Sequence, residues 1–466
     1  MDTILTLVNK GNDFLWSFLL LILLCGTGIY YTIRLKFIQV RKFGEGCKHV
    51  FGHFSLNGEK HEKGEMSPFQ SIMTAIAAQV GTGNLAGAAT ALFGGGPGAI
   101  FWMWLSAFFG MATIYSEAVL AQTYKTEVNG EVTGGPVYYI KAAFKGNFGK
   151  VLSTLFAIFI VLALGFMGNM VQSNSIGAAF NNAFHVPKLA VGICVAVIAG
   201  IIFIGGIKRI ANVSQVVVPF MALLYVVFAV LLLLCNVTKI PNAIVQIVQG
   251  AFGYGDGIQG IRAAAGGVLG AMMAAMQNGV AKGIFSNEAG LGSAPIAAAA
   301  AKTKDTVRQG LVSMTGTFID TIVICTMTGL AIVIAGSWAN PDLKGVAITT
   351  VAFQSGLPFP SVVSSFVLMI CLAFFAFTTI LGWDYYSERC LEYLSNRNKT
   401  VVKVYRWIYV LAVFIGPYLT VAAVWTIADI FNGLMAIPNV IALIALSGVV
   451  AKETRDYFKE FDRLSK

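Results

Sequence analysis

Apolar runs of about 18 or more residues without a charged side chain recur along this chain, and that feature excludes most folds. At 1.5 Å per residue such a run crosses roughly 30 Å of hydrocarbon as a helix, the conformation that satisfies every backbone N–H and C=O within one segment. About eleven spans are expected, near 14–33, 68–93, 98–122, 151–180, 189–207, 210–235, 265–300, 309–338, 361–387, 406–427 and 429–451. Only 12% of the 466 residues are charged, where soluble domains carry roughly 25%, and the mean hydropathy is +0.75. The longest polar stretch, 36–66, is too poor in apolar residues to build a core and reads as a loop. The first span follows Asp2 and Asp13, without a basic leader or a small-residue cleavage site, so it is expected to be retained. The chain therefore reads as an all-α polytopic membrane protein.

The net charge of +10 could indicate a nucleic-acid partner, but its distribution argues for topology instead. Placing the 34–65 loop inside gathers 26 basic residues on that side. They are Arg34, Lys36, Arg41, Lys42, Lys48, Lys60, Lys63, four between 123 and 150, Lys208, Arg209, Lys302, Lys304, Arg308, five from Arg389 to Arg406, and five from Lys452 onward. The other side receives Lys10, Lys188, Lys239, Arg262 and Lys344. Cytoplasmic loops carry such an excess, which puts the N-terminus outside, the C-terminus in the cytoplasm, and requires an odd number of crossings. The cell membrane is the expected location, and no nucleic-acid partner is implied.

Enzymatic chemistry finds no foothold. The seven cysteines are scattered singly, Cys25, Cys194, Cys235, Cys325 and Cys371 within spans, and read as small packing residues. His49, His53, His61 and His185 are expected in loops, and the His49/His53 pair has no third ligand at metal-site spacing. A channel would need a filter ring or a continuous polar pore, which few charged span residues supply.

Two spans are interrupted by flexible, polar sequence. The second reads Ala77-Ala78-Gln79-Val80-Gly81-Thr82-Gly83-Asn84-Leu85-Ala86-Gly87, and the seventh reads Phe285-Ser286-Asn287-Glu288-Ala289-Gly290-Leu291-Gly292-Ser293. Clustered glycines with Asn and Thr favour unwinding. Four intact spans separate the two, so each interrupted span begins a five-helix unit, and an odd unit repeated in a membrane is inverted. The expected organisation is a peripheral N-terminal helix (1–36), a cytoplasmic loop (37–66), a first five-helix repeat (67–235), an extracellular loop (236–264), a second repeat (265–451) and a cytoplasmic tail (452–466). Gly-interrupted segments at corresponding positions of two halves are the best sequence pointer to a transporter's binding site.

Unwinding at mid-membrane frees backbone groups that lipid cannot satisfy. The positive end of a half-helix suits a carboxylate, and freed carbonyls suit Na⁺ or an ammonium. Gly81, Thr82 and Gly83 can present backbone donors to such a ligand, and Asn84 adds a polar side chain; small residues also serve close helix packing. Asn169, Gln172 and Asn174 cluster in the fourth span, suited to a substrate or to interhelical hydrogen bonds. Lys282 and Glu288, six residues apart, are expected to form an ion pair across the second break. Glu117, Asp320, Asp384 and Asp429 are expected near span ends or facing helices, as structural or gating residues.

The run from Gly94 to Gly110, GGGPGAIFWMWLSAFFG, reads as an external turn entering a helix with an interfacial aromatic belt. It closely resembles the signature of the sodium:alanine (alanine or glycine:cation) symporter family, and the Gln79–Gly87 and Ser286–Ser293 strings resemble that family's broken helices. The resemblance covers essentially the whole chain. It implies the LeuT-like inverted repeat of the neurotransmitter:sodium symporters, plus one extra N-terminal helix. By this resemblance one sodium sits among the carbonyls of Ala77, Val80 and Phe375 and the hydroxyls of Thr378 and Thr379, oxygens of the kind a hard cation prefers. Phe285 becomes a lid over the substrate, Ser286 its polar neighbour, and Trp383 a wall; Gln79, with no counterpart in the analogous fold, joins the substrate-binding set. Glu288 stands where that fold has a small polar residue. The implied activity is sodium-coupled symport of a small neutral amino acid such as alanine or glycine, with sodium- or proton-coupled uptake of a larger neutral amino acid such as glutamine as the alternative. The partners are the amino acid, sodium and membrane lipid, and a monomer suffices for them.

Overall fold

The computed structural model describes residues 10–12, 14–51, 68–128, 130–255, 258, 260–261, 265–303 and 305–464. His53, His61, Lys60, Lys63, Arg262 and Lys304 lie outside the described residues. The chain is mostly helical, as its composition demands. A π-turn (Leu15–Leu19) leads into α1 (Leu20–Arg34), and a four-residue turn leads to the amphipathic α2 (Phe43–Phe51). His49 therefore sits on a helix, where a loop was expected. The first interrupted span is α3 (Pro68–Gln79) and α4 (Ala88–Gly95), and α5 (Gly98–Thr123) follows.

A β-hairpin then corrects the all-α expectation, pairing β1 (Thr126–Val128) antiparallel to β2 (Glu131–Thr133) with Val128 opposite Glu131. The sequence TEV-NG-EVT carries the signal: β-branched residues flank an Asn-Gly connection, and Gly130 has a φ of 81°.

Beyond it come α6 (Pro136–Ala143), α7 (Asn147–Leu162), α8 (Asn169–Phe184), α9 (Lys188–Ile204), α10 (Gly206–Cys235) and α11 (Ile240–Ala251). The second interrupted span is α12 (Val268–Asn287) and α13 (Ala294–Ala300). The remainder is α14 (Thr306–Thr317), α15 (Thr326–Ala335), α16 (Val346–Gly356), α17 (Ser361–Leu394), α18 (Lys399–Ile415), α19 (Val421–Ala445) and α20 (Ser447–Leu464).

Seven helical stretches among the described residues are long and apolar enough to cross a membrane: Gly98–Thr123, Asn147–Phe184, Arg209–Cys235, Thr306–Ala335, Ser361–Leu394, Lys399–Tyr418 and Val424–Ala445. Leu20–Arg34, Lys188–Ile204 and Val346–Gly356 are shorter apolar helices. The spans expected at 406–427 and 429–451 are displaced toward the N-terminus, because the chain turns at Gly416–Tyr418. A Gly-Pro pair there removes a backbone donor and stops the helix.

π-turns occur at Gly83–Gly87, Ala163–Gly168 and Phe318–Cys325. One extra residue per turn rotates the side chains that follow, and such bulges favour functional sites. The turn at 163–168 links α7 to α8 within one 38-residue stretch. The N-terminal helix is anchored at both ends. Trp16 Nε1 donates to Asp429 O at 3.1 Å, and Tyr31 Oη donates to Leu443 O at 2.5 Å. At mid-helix, Gly28 lies against the Phe109 backbone of α5.

Candidate functional site

The first interrupted span leaves the helix at Val80 and Gly81. Its freed backbone groups find buried side chains. Gly81 N–H donates to Asn84 Oδ1 at 2.8 Å and Thr82 N–H to Gln172 Oε1 at 3.2 Å. Gly81 has no room for a side chain, since a Cβ there would collide with Thr379 Oγ1.

The second break runs from Glu288 to Ser293, with φ near 60° at Glu288 and 84° at both Gly290 and Gly292. Those left-handed conformations suit glycine and are costly for a glutamate. The N–H groups of Gly290 and Gly292 donate to the Glu117 carboxylate at 3.2 and 3.0 Å. Asn439 Nδ2 donates both to Glu117 (2.6 Å) and to Gly290 O (2.9 Å), and Tyr139 Oη donates to Asn439 Oδ1. Glu117 therefore clamps the break from α5.

The two breaks touch each other. A Cβ on Gly83 would lie 2.9 Å from Ser286 Cα, so this glycine permits the helices to cross. Gln79 Nε2 spans the crossing to Asn287 O at 3.2 Å. Asp320, in the π-turn Phe318–Cys325, braces both sides. Its Oδ1 accepts from Asn84 Nδ2 at 2.7 Å and from Ser286 Oγ at 3.0 Å, and its Oδ2 accepts from Thr321 Oγ1 at 2.7 Å. Asp320, expected near a span end or on a facing helix as a structural or gating residue, lies on a helix that faces the point where the two breaks meet.

An oxygen cluster lies beside the first break. Thr379 Oγ1 is 3.0 Å from Phe375 O, 3.1 Å from Ala77 O and 3.4 Å from Val80 O. One hydroxyl hydrogen cannot satisfy three carbonyls, so lone pairs are left facing a common point. Thr378 Oγ1 lies 3.0 Å from both Phe374 O and Phe375 O and 3.3 Å from Met221 Sδ. Of the oxygens assigned to sodium by resemblance, those of Ala77, Val80, Phe375 and Thr379 lie together, whereas Thr378 Oγ1 shares only Phe375 O with them and turns toward Met221.

Aromatic rings close the other side. Phe285 meets Trp425 at 4.8 Å and Trp383 at 5.9 Å between ring centroids, and all three are buried. Trp383 Nε1 donates to Glu288 Oε1 at 2.6 Å, and Ser293 Oγ donates to Glu288 Oε2 at 2.9 Å. The expected Lys282–Glu288 ion pair is therefore not the one formed. Lys282 Nζ instead pairs with Asp429 Oδ2 on α19 at 2.5 Å and lies 4.6 Å above the Trp425 ring. The physical reason is helical geometry: six residues turn the side chains about 120° apart, and the left-handed Glu288 carries its carboxylate toward α17.

The three amides of α8 separate. Gln172 reaches the first break; Asn169 donates back to Gly165 O (2.9 Å), and Asn174 ties to Gly416 O and Leu419 O at 2.9 and 2.8 Å. Asp384 is fully buried on α17, with neither oxygen hydrogen-bonded among the described residues. Sequence reasoning missed Asn439, Trp425 and Thr321 as partners of the breaks; they carry no local signal beyond being polar or aromatic within a span.

The fold recurs in a solved structure. A crystal structure of MhsT in complex with L-phenylalanine superposes with a TM-score of 0.59 over 85% of this chain and 93% of that chain, at 14% identity, a likeness of fold. An uncharacterized transporter of Haemophilus influenzae is 48% identical over 98% of this chain and 97% of its own. The sodium/alanine symporter AgcS of Methanococcus maripaludis is 46% identical, covering 97% of each. A probable sodium/glutamine symporter of Bacillus subtilis, GlnT, is 42% identical over 97% of this chain and 91% of its own. The profile of the sodium:alanine symporter family matches residues 1–465. With two crossing helix breaks at its centre and relatives matched over nearly their full length, the chain belongs to the sodium:alanine symporter family, multi-pass membrane proteins that carry an amino acid with sodium and are not enzymes.

Proposed function

We propose that this symporter moves alanine or glycine into the cell by alternating access, with one sodium bound at the carbonyls of Ala77, Val80 and Phe375 and the hydroxyls of Thr378 and Thr379. The observation that carries the ion is the convergence of carbonyls on Thr379 Oγ1, more acceptors than one hydroxyl can serve. Such an all-oxygen shell suits Na⁺. The substrate carboxylate is read as lying against the backbone donors around Gly81, Thr82 and Gly83, with Asn84, Gln172 and Ser286 as polar neighbours. Phe285, Trp383 and Trp425 crowd the side-chain end, which favours a methyl group or a hydrogen over a longer side chain. Asn169 and Gln79 belong to the shell that positions these groups rather than to the ligand surface.

The path through the membrane follows the same reading. The seven long helices, α1, α9 and the two interrupted spans make eleven crossings, arranged as inverted repeats over 67–235 and 265–451. The peripheral helix 1–36 lies outside the pair, 37–66 and the tail 452–466 lie in the cytoplasm, and 236–264 is extracellular. The N-terminus is outside. Sodium entry is favoured by the membrane potential at about 2.3 kcal/mol per charge per 100 mV.

Glutamine is the second reading, favoured by the relative named a probable sodium/glutamine symporter at 42% identity. Competition of labelled alanine uptake by a panel of neutral amino acids in proteoliposomes separates the two. Alanine and glycine should compete at the lowest concentrations; stronger competition by glutamine would overturn the small-substrate reading.

A further inference from the structure

Among the described residues, a half-open cavity of 520 Å³ lies away from the helix breaks, between the C-terminal end of α9, the last turns of α17 and the N-terminal half of α18. Its lining changes character along its length. On α18, Lys399, Lys403, Trp407 and Val410 recur at helical spacing, so one stripe grades from cationic through aromatic to aliphatic. Gly200, Phe203 and Ile204 of α9 face that stripe. Glycine at 200 keeps the apolar end open: the nearest atom to a Cβ placed there, on Val410, is 3.9 Å away.

The charges at the polar end do not cancel. Arg406 grips Glu388 through two bonds of 2.7 Å. Arg389 is shared among Glu131 (3.0 Å), Glu392 (3.0 Å) and Glu388 (3.2 Å). Two guanidinium groups thus occupy three carboxylates. Lys399 and Lys403 are exposed and make no ion pair among the described residues, so four cations line the wall against three anions. Arg209 adds another positive charge at the end of α9, where its Nη1 donates to Ile201 O at 2.8 Å. The flanks on either side are the apolar surfaces of two spans: Ile201 and Ile204 on α9, and Val404, Ile408 and Leu411 on α18, are all exposed. A groove with an apolar floor, a lipid-facing mouth and a surplus of cations at its aqueous end is complementary to a molecule with an acyl chain and an anionic headgroup. Basic pockets between transmembrane helices on the cytoplasmic side bind such headgroups.

We propose that this cavity is a binding site for an anionic phospholipid. The phosphate lies between Lys399 and Lys403, and one acyl chain runs over Trp407 and Val410 toward Phe203 and Gly200. The site joins α9 to α18 and, through the Arg406–Glu388 pair, to the helix that carries Thr378, Thr379 and Trp383. The orientation proposed above places it in the cytoplasmic leaflet, but the test does not depend on that orientation, because detergent-dispersed lipid reaches both faces.

Purified full-length protein in neutral detergent is melted with increasing phosphatidylglycerol, phosphatidylcholine or inorganic phosphate. A ligand that binds the folded state raises the melting temperature by mass action. Phosphatidylglycerol should raise it saturably, and the other two should not. In Lys399→Gln/Lys403→Gln the half-saturating phosphatidylglycerol concentration should rise about fivefold per lysine, roughly 25-fold for the pair, at about 1 kcal/mol for each basic residue. Both side chains are exposed, so the melting temperature without lipid should stay at the wild-type value. Gly200→Leu, which fills the apolar end without touching a charge, should abolish saturable binding; if it does not fold, the lysine pair carries the test alone. Equal stabilisation by phosphatidylcholine would overturn the headgroup assignment. A shift with inorganic phosphate alone would reduce the site to a free-anion site, and an unchanged phosphatidylglycerol response in the double variant would place lipid elsewhere.

Discussion

Replacing Thr379 with valine removes one hydroxyl and almost no volume, so it addresses the ion site without opening a cavity. The structure ranks this change against the same change at Thr378. Thr379 Oγ1 reaches out of its own helix to Ala77 O and Val80 O, carbonyls that the first break has released. Thr378 Oγ1 bonds carbonyls of its own helix, at Phe374 and Phe375. A polar contact to a charged group is worth about 1.5–3 kcal/mol, the loss expected where the Thr379 oxygen faces the cation, whereas a neutral intrahelical bond contributes about 1 kcal/mol. At 1.4 kcal/mol per decade, Thr379→Val should raise the half-saturating sodium concentration roughly 10- to 150-fold and Thr378→Val at most about fivefold. The assay is alanine uptake by proteoliposomes over a sodium titration, with the sodium-induced rise in melting temperature as a second readout. Because linkage is reciprocal, alanine should also lose much of its ability to strengthen sodium binding. If Thr379→Val inserts, purifies and transports with wild-type sodium dependence, the ion is not held at this seam.

Other expectations follow from single contacts. Gly83→Ala should lower uptake of every substrate at least tenfold while the protein still purifies, because the added methyl meets the Ser286 Cα at 2.9 Å and the two broken helices cannot keep their crossing; wild-type uptake would show the crossing to be dispensable. Lys282→Gln or Asp429→Asn alone should destabilise by about 3–5 kcal/mol, the cost of stranding a buried charge, and the double neutral variant should recover most of that loss in thermal melting; equal loss in the double variant would mean that the pair does not act as one. In a cysteine-free background, a cysteine at Lys344 should react with an impermeant reagent from outside intact cells and one at Lys399 should not; the reverse would invert the topology.

The helix breaks were legible in the sequence for a local reason. Glycine, threonine and asparagine inside an otherwise apolar run are a conflict that only unwinding resolves, and both breaks occur where that conflict is densest. What satisfies the breaks was not legible. Glu117 and Asn439 meet Gly290 across 173 and 149 residues, and Asp320 reaches Asn84 across 236; such partners depend on tertiary packing, which no residue spacing encodes. The Lys282–Glu288 pairing failed because spacing was weighed without the direction of each side chain. The hairpin and the turn at Gly416 were different: Asn129-Gly130 announced a tight turn in a segment read only as a loop, and Gly416-Pro417 announced one where the span expected at 406–427 ran straight through. The amphipathic helices α2 and α20 were hidden by the same emphasis on long apolar runs, since each has only one apolar stripe.

Sodium-coupled symport through the paired breaks is tested most directly by measuring both fluxes in one proteoliposome preparation. An inward sodium gradient alone should drive labelled alanine above its external concentration, and external alanine should in turn accelerate entry of labelled sodium, both effects vanishing when the gradient is collapsed. Accumulation that follows a proton gradient and ignores sodium, or sodium entry indifferent to alanine, would contradict the account.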